Sequence, residues 1–164
     1  MGKRIYIGRH AKSSWAQPGM ADHDRPLNDR GLNDAPAMAK LLHNAGHPIE
    51  MVISSTARRA KTTASFIAHE YGLELVTESK LYHGDPDDYI DALSTVPEQI
   101  KAVALFGHNP GITLIANEIQ RNITPNIPTC GIIVAEMDDQ ISWTEAQWSN
   151  MKLIQILTPK DPAL

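Results

Sequence analysis

Short β-branched runs alternate along the chain with longer stretches in which apolar residues recur every three to four positions. That alternation predicts a three-layer α/β fold, helix–sheet–helix, around a mostly parallel central sheet. Ile5, Tyr6 and Ile7 form the first expected strand, ending at Gly8. A polar loop rich in Ser, Gly, Asp and Pro follows as far as Pro26. Over residues 28–44 the period is helical, with Leu32, Ala35, Ala39 and Leu42 on one face and Gly46 as a stop. Pro36 inside that stretch implies a kink, or a later helix start capped by Asp34.

Met51–Ser54 is a second short strand, and residues 58–71 form a strong helix with Ala60, Ala64, Ile67 and Ala68 inward. Gly72 sits just past its end. A third strand is expected within residues 73–77, and Pro86 opens a helix running to about Thr95. Residues 102–106 are an uninterrupted apolar run, which marks a central strand buried on both faces. Gly111–Ile119 is helical again, and Ile132–Met137 and Met151–Leu157 read as strands at the edge of the sheet.

The length of 164 residues suits one domain, taken as residues 1–164. An apolar fraction of 42% and a charged fraction of 21% exclude disordered and fibrous classes. The net charge of −4, from 15 basic and 19 acidic residues, gives no bulk field for nucleic acid or an anionic membrane. No apolar run approaches the ~20 residues of a membrane span, and the N-terminus lacks the apolar core of a signal peptide. Gly2 as a lipidation site is set aside because Ile5 and Tyr6 read as strand. A cytoplasmic protein is therefore expected, with the oligomeric state open and a monomer compatible with the sequence. Cys130 is the sole cysteine, so no internal disulfide forms, and it reads as a small buried hydrophobe rather than a reactive thiol.

Candidate chemistry gathers where strands of such a sheet end, because the crevice of an open α/β sheet lies beyond the strand carboxyl ends. The first strand ends in Gly8-Arg9-His10, and the second in Ser54-Ser55, followed by Arg58-Arg59. The buried strand ends in Gly107-His108-Asn109-Pro110-Gly111. Any one of these residues alone reads most simply as part of a surface loop. Adjacent arginines repel, however, unless an anion joins them, and planar guanidinium forks match phosphate oxygens. The helix opening after His108 adds a favourable terminus for an anion.

Arg9-His10-Ala11-Lys12-Ser13-Ser14-Trp15 resembles the signature loop of the histidine phosphatase superfamily, with Ala11 where Arg-His-Gly is usual. The block from Ser54 to Ala64 resembles the family's second motif, with Arg59 before Ala60 and Thr63 four residues on. Gly107-His108 resembles the third. The short phosphohistidine phosphatase branch, called SixA type, is similar over nearly the whole chain from Lys3 to Pro159. It matches through Arg25-Pro26-Leu27 with Gly31, through Leu81-Tyr82-His83, and through Gly107 to Gly111.

The resemblance implies a phosphoglycerate mutase-like fold and a phosphatase that carries phosphate transiently on His10. Arg9, Arg59 and a His108 protonated by the nearby phosphate would hold the phosphoryl oxygens. Arg25, Lys12, Ser14 and Asn109 are substrate-binding candidates, although Arg25 reads equally as the partner of Asp22 or Asp24, and Ser14 as a turn cap. Arg58 is the second-choice neighbour of Arg59. His10 would be neutral, its other ring nitrogen donating to a backbone carbonyl. Trp15 is expected at the pocket rim.

No general acid matches with certainty; Glu78, Asp85, Asp87 and His83 lie in the right loop. A phosphohistidine leaves as imidazole and asks less of an acid than an alkoxide does. The implied partner is therefore a phosphorylated protein, with a small phosphoester as the alternative, and no cofactor or metal is expected.

His43 and His47 have metal-ligand spacing, but Gly46 and Pro48 break the helix there and no third ligand lies near. Neither a Gly-x-Ser-x-Gly elbow nor a phosphate-binding P-loop occurs. A non-catalytic phosphate-binding module remains the rival from another class.

Overall fold

The pattern of the sequence becomes, in a computed structural model that describes residues 2–159, six strands and four α-helices. Met1 and residues 160–164, part of the domain expected from the sequence, lie outside the described residues. The strands are β1 (Lys3–Arg9), β2 (Met51–Ser54), β3 (Leu75–Thr77), β4 (Ala102–Gly107), β5 (Ile132–Met137) and β6 (Met151–Leu157). They form one sheet in the order β3-β2-β4-β1-β5-β6. β1, β4, β2 and β3 pair in parallel, whereas β5 is antiparallel to both β1 and β6. The edge position expected of the last two strands holds for β6, while β5 lies between β1 and β6.

Helices α1 (Asp29–Asn44) and α2 (Arg58–Glu70) cover one face, burying Ala35, Met38, Leu42, Ala64 and Ile67 against Tyr6, Ala104 and Phe106. Helices α3 (Pro86–Leu93) and α4 (Gly111–Ile119) cover the other, where Tyr89, Leu93, Ile112 and Ile115 meet Ile5, Ile7, Val103 and Leu105. Alternate residues of β1 and β4 thus feed opposite layers, which is why both strands are apolar throughout their centres. β1 and β4 are neighbours, yet their following helices lie on opposite faces, and the crevice opens beyond their carboxyl ends.

The helical period expected over residues 28–44 becomes α1, which excludes the later start, and one detail of its buried face differs from expectation. The helix begins at Asp29, not near Pro36, because the Asn28 side chain accepts from the Gly31 amide (2.9 Å) and caps it there. Asp34 pairs instead with Arg30 at 3.4 Å, and Pro36 is carried inside the helix. Leu32 is exposed rather than inward, and Met38 takes the buried position. Within α3 the expected Pro at the first turn is present, and Asp85 and Asp88 form a reciprocal capping box around it.

Gly107 ends β4 where the chain must pass close to α3. A methyl at that position would overlap the Tyr89 hydroxyl, which in turn accepts from the His108 amide at 3.2 Å. Close packing at a glycine therefore sets the position of the histidine that follows it. No helix among the described residues is long and apolar enough to cross a membrane.

Candidate active site

His10 follows the last residue of β1, and its backbone is pinned on both sides. Its amide donates to the Gly107 carbonyl (3.1 Å), and its own carbonyl accepts from the Cys130 amide (3.0 Å). The next amide, of Ala11, donates to the Thr63 hydroxyl (2.9 Å), which itself donates to the Arg59 carbonyl (2.8 Å). β1, β4 and α2 thereby meet around one imidazole. That ring is buried, with Nδ1 2.7 Å from the Ala11 carbonyl oxygen. A carbonyl can only accept, so Nδ1 carries the hydrogen and Nε2 keeps its lone pair. Burial lowers the pKa of His10 to about 4, opposed by the Ala11 bond and reinforced by the charges of Arg59, Arg9 and Arg25. The ring is neutral at physiological pH.

His108 stands beside it, the two ring centroids 5.2 Å apart. Its Nε2 lies 2.8 Å from the Ser55 hydroxyl, and that hydroxyl already accepts from the Ala57 amide at 3.1 Å. The hydroxyl keeps its proton and a second lone pair, so Ser55 gives to Nε2 when the hydrogen of a neutral His108 is on Nδ1 and accepts from it when that hydrogen is on Nε2. Nδ1 is buried without a hydrogen-bond partner among the described residues, as are the Nε atoms of Arg9 and Arg59. A buried unpaired polar atom costs about 1–3 kcal/mol; with the His108 hydrogen on Nδ1, all three are donors and mark a place for an anion.

The protonated His108 expected from the resemblance depends on a phosphate beside it, and the protein groups of the pocket by themselves favour the neutral ring. Burial, with the positive potential of His10, Arg59 and His83, lowers its pKa to about 3, Asp22 opposing. It can donate to a phosphoryl oxygen as neutral imidazole.

Arg59 is buried in the first turn of α2. Its Nη1 and Nη2 donate to the Asp22 carbonyl (2.7 Å) and to Asp22 Oδ2 (3.0 Å). Arg25 donates from Nε to Asp22 Oδ1 (3.0 Å) and from Nη1 to Ser13 Oγ (2.8 Å). The ion pair anticipated for Arg25 is therefore made with Asp22. The Tyr82 hydroxyl donates to the same carboxylate at 2.7 Å. Although burial works the other way, bonds from Tyr82, Arg59 and Arg25 hold the Asp22 carboxyl well below the usual carboxylate range. Asp22 is the hub that sequence reasoning treated only as a loop acid; its partners lie up to 60 residues away.

Arg9 donates from Nη1 to the Ile127 carbonyl (2.9 Å), and burial lowers its pKa. The exposed Trp15 lies face-on to Arg25, whose guanidinium carbon is 3.6 Å from a ring centroid. This stacking sets the indole above the Arg25 guanidinium.

Other candidates are placed elsewhere or otherwise engaged. Lys12 is exposed, and the Ser14 hydroxyl accepts from the Ala16 amide (3.0 Å) as a turn cap. Asn109 caps α4, accepting from the Thr113 amide (3.0 Å) and hydroxyl (2.8 Å) while donating to Ile127 and Asn126. Glu78 caps a short turn through the Lys80 amide and Asp85 caps α3, while Asp87 is exposed in the first turn of α3. His83 has left-handed backbone (φ 60°), with its ring 4.0 Å from that of Tyr82 and 6.5 Å from that of His108.

His43 packs on Tyr71 and His47 bonds the Tyr6 hydroxyl. No group of three or more metal-ligating side chains occurs among the described residues. Cys130 is buried and its thiol is pushed up to about 12 by that burial.

Ser55→Ala is expected to remove the hydrogen bond that holds His108 Nε2. The result should be a fall in kcat of about tenfold, the scale of one lost neutral hydrogen bond in a pocket, with a lowered melting temperature because the Ala57 amide loses its buried acceptor. Steady-state kinetics on an aryl phosphate check it; an unchanged kcat removes Ser55 from the mechanism.

A sequence profile described as the histidine phosphatase superfamily (branch 1) matches residues 5–111. An uncharacterised protein of Mycobacterium leprae is 28% identical, the match covering 93% of this chain and 99% of that protein. A solved structure from Agrobacterium tumefaciens, assigned as the phosphohistidine phosphatase SixA, superposes with a TM-score of 0.81 at 27% identity, covering 97% of this chain and 99% of that one. The protein histidine phosphatase SixA complexed with tungstate shares the fold, with a TM-score of 0.78 at 22% identity over 95% of this chain and 97% of the other.

Proposed function

The chain belongs to the histidine phosphatase superfamily, and from that membership we propose that it removes phosphate from phosphohistidine on a protein by way of a phosphohistidine on His10. The observation that carries the reading is the His10 ring: buried and neutral, with Nδ1 committed to Ala11 and Nε2 bare. Nε2 attacks phosphorus in line and the bond from phosphorus to the substrate imidazole breaks. That imidazole leaves with a proton from solvent. Water then attacks the phosphorus on His10, releasing inorganic phosphate and restoring the free ring.

Arg9, Arg59 and the Nδ1–H of His108 hold the oxygens throughout, their unpaired buried donors meeting the charge as it spreads. Arg25 acts through Asp22 and the Trp15 stack, setting the position of Arg59 and the rim. Lys12, Ser14 and Asn109 have no direct part in this mechanism.

A protein phosphohistidine as substrate is supported by how the loop carboxylates are spent. Glu78 and Asp85 are consumed as caps, which suits a leaving imidazole better than an alkoxide. The second reading, a small phosphoester, is favoured by one feature only, the His83 ring held near His108 by a left-handed backbone, which could protonate an alkoxide.

The test compares turnover of a phosphohistidine-bearing carrier protein with that of an aryl phosphate, without added metal. Much faster turnover of the carrier upholds the reading. Turnover of the aryl ester alone replaces the substrate, and His83→Ala should then lower kcat. Failure of both turns the protein into a phosphate-binding module.

The pH dependence of stability has a definite sign. His10 and His108 bind protons near pH 4 and 3 when folded, but near 6.5 when unfolded. Between these values the unfolded chain holds more protons, so stability falls as pH drops below about 6.5 and is level above it for these two groups. The expected slope is at most about 1.4 kcal/mol per pH unit for each histidine. Urea midpoints from pH 4.5 to 7 check it, and the dependence should shrink in His108→Gln.

A further inference from the structure

Arg58 and Arg59 are adjacent in sequence and point to different places. Arg59 is buried against Asp22, whereas Arg58 is exposed and lines a separate surface cavity of about 350 Å³. Lys61, one turn along α2, lines the same cavity, together with Thr56, Thr62 and Ser65. Its far wall is the turn Asp22–Asp24. On one side of that turn Asp22 bonds Arg59 and Tyr82; on the other His23 Nε2 lies 2.9 Å from the Thr56 hydroxyl. A single turn of chain therefore divides this groove from the pocket of His10.

The charges in the groove are not balanced from within the fold. Neither Arg58 nor Lys61 makes an ion pair among the described residues, in contrast to Arg25, Arg30 and Arg59. Asp24 is the one acidic side chain in the lining, and its carboxylate lies 3.7 Å from His23. Two cations three residues apart on a helix repel each other. In a chain of net charge −4 such a cationic concavity runs against the bulk field. Carboxylates entering the groove would meet both cations, while the Thr62 and Ser65 hydroxyls already donate to the Arg58 and Lys61 carbonyls.

We propose that this groove takes acidic side chains of the protein that presents its phosphoryl group to His10. The inference rests on the protein-substrate reading above. A polypeptide whose phosphoryl group is held at His10 reaches Arg58 and Lys61 if it crosses the Asp22–Asp24 turn, since Asp22 bonds Arg59 while His23 and Asp24 line the groove. A small phosphoester fills the catalytic pocket and does not extend that far.

The contribution is electrostatic at a solvent-open site. It acts on encounter and KM, weakens with salt, and leaves the chemical step alone.

Two measurements on the full-length protein test it. In the first, hexaglutamate is titrated into isotope-labelled wild type and into the double variant Arg58→Glu/Lys61→Glu. Amide shifts confined to residues 56–65 and 22–24, with a Kd raised at least about tenfold in the variant, support the groove. Shifts that lie elsewhere, or equal affinities, overturn it.

In the second, the variant is expected to raise KM for a phosphohistidine carrier by about tenfold at low salt, with kcat and aryl phosphate turnover within twofold. An unchanged carrier KM overturns the proposal, and so does a parallel loss on the aryl ester, which would mean that Arg59 had been disturbed. A carrier that wild type does not turn over, together with hexaglutamate bound in the groove, overturns the substrate reading and upholds the groove as an acidic-peptide site.

Discussion

His10→Ala should abolish turnover of every phosphorylated substrate, by at least about 10⁴-fold in kcat, while the protein stays folded. The size of the effect follows from the covalent route: without Nε2 no phosphoryl acceptor remains, and the surrounding donors bind phosphate without transferring it. Retention of fold follows from the backbone. The Gly107 carbonyl and the Cys130 amide hold residue 10 through main-chain bonds that alanine keeps. Loss of the ring removes a neutral, desolvated group, so no charge is stranded. Single-turnover kinetics with a labelled phosphoryl donor, beside a thermal melt, checks both halves. Unchanged activity would overturn the mechanism.

Arg59→Ala is expected to lower kcat by about 10²–10³-fold, the range for removing one preorganised donor to a developing charge. Arg59→Lys should recover little of it. A lysine ammonium offers no planar fork, and this guanidinium spans the Asp22 carbonyl and carboxylate while its Nε stays without a partner among the described residues. The variant also leaves Asp22 with only Arg25 and Tyr82, so its carboxylate becomes easier to protonate. Inorganic phosphate should protect wild type against thermal unfolding and protect Arg59→Ala much less, a difference read directly from melting curves. Equal protection would show that Arg59 serves the fold and not the anion.

The sequence by itself determined the layered α/β plan and pointed to His10, Arg59 and His108 as candidates at one edge of the sheet. Both are local signals. The apolar run of β4, the small-residue face of α2 and the Pro86 start of α3 are written in neighbouring positions, where period and capping chemistry act directly. His10 and His108 are visible because each directly follows a strand, and Arg59, in the first turn of the helix after β2, through the resemblance of its block to the family's second motif. Even the role of Asp85 is local, since an aspartate before a first-turn proline is a helix cap, and pattern alone could have withdrawn it as an acid.

The tertiary structure decided which partner each polar group takes, because those partners are distant in sequence. Asp22 reaches Arg59 and Tyr82 across 37 and 60 residues, and Ser55 reaches His108 across 53. It also set protonation. The neutrality of His10 and His108 comes chiefly from burial, which no residue pattern reports. Asn109 beside His108 turned to cap α4, and Arg58 beside Arg59 turned to a second groove. Sequence adjacency places two side chains near one another, but the packing of the helix on the sheet selects which of them enters the crevice.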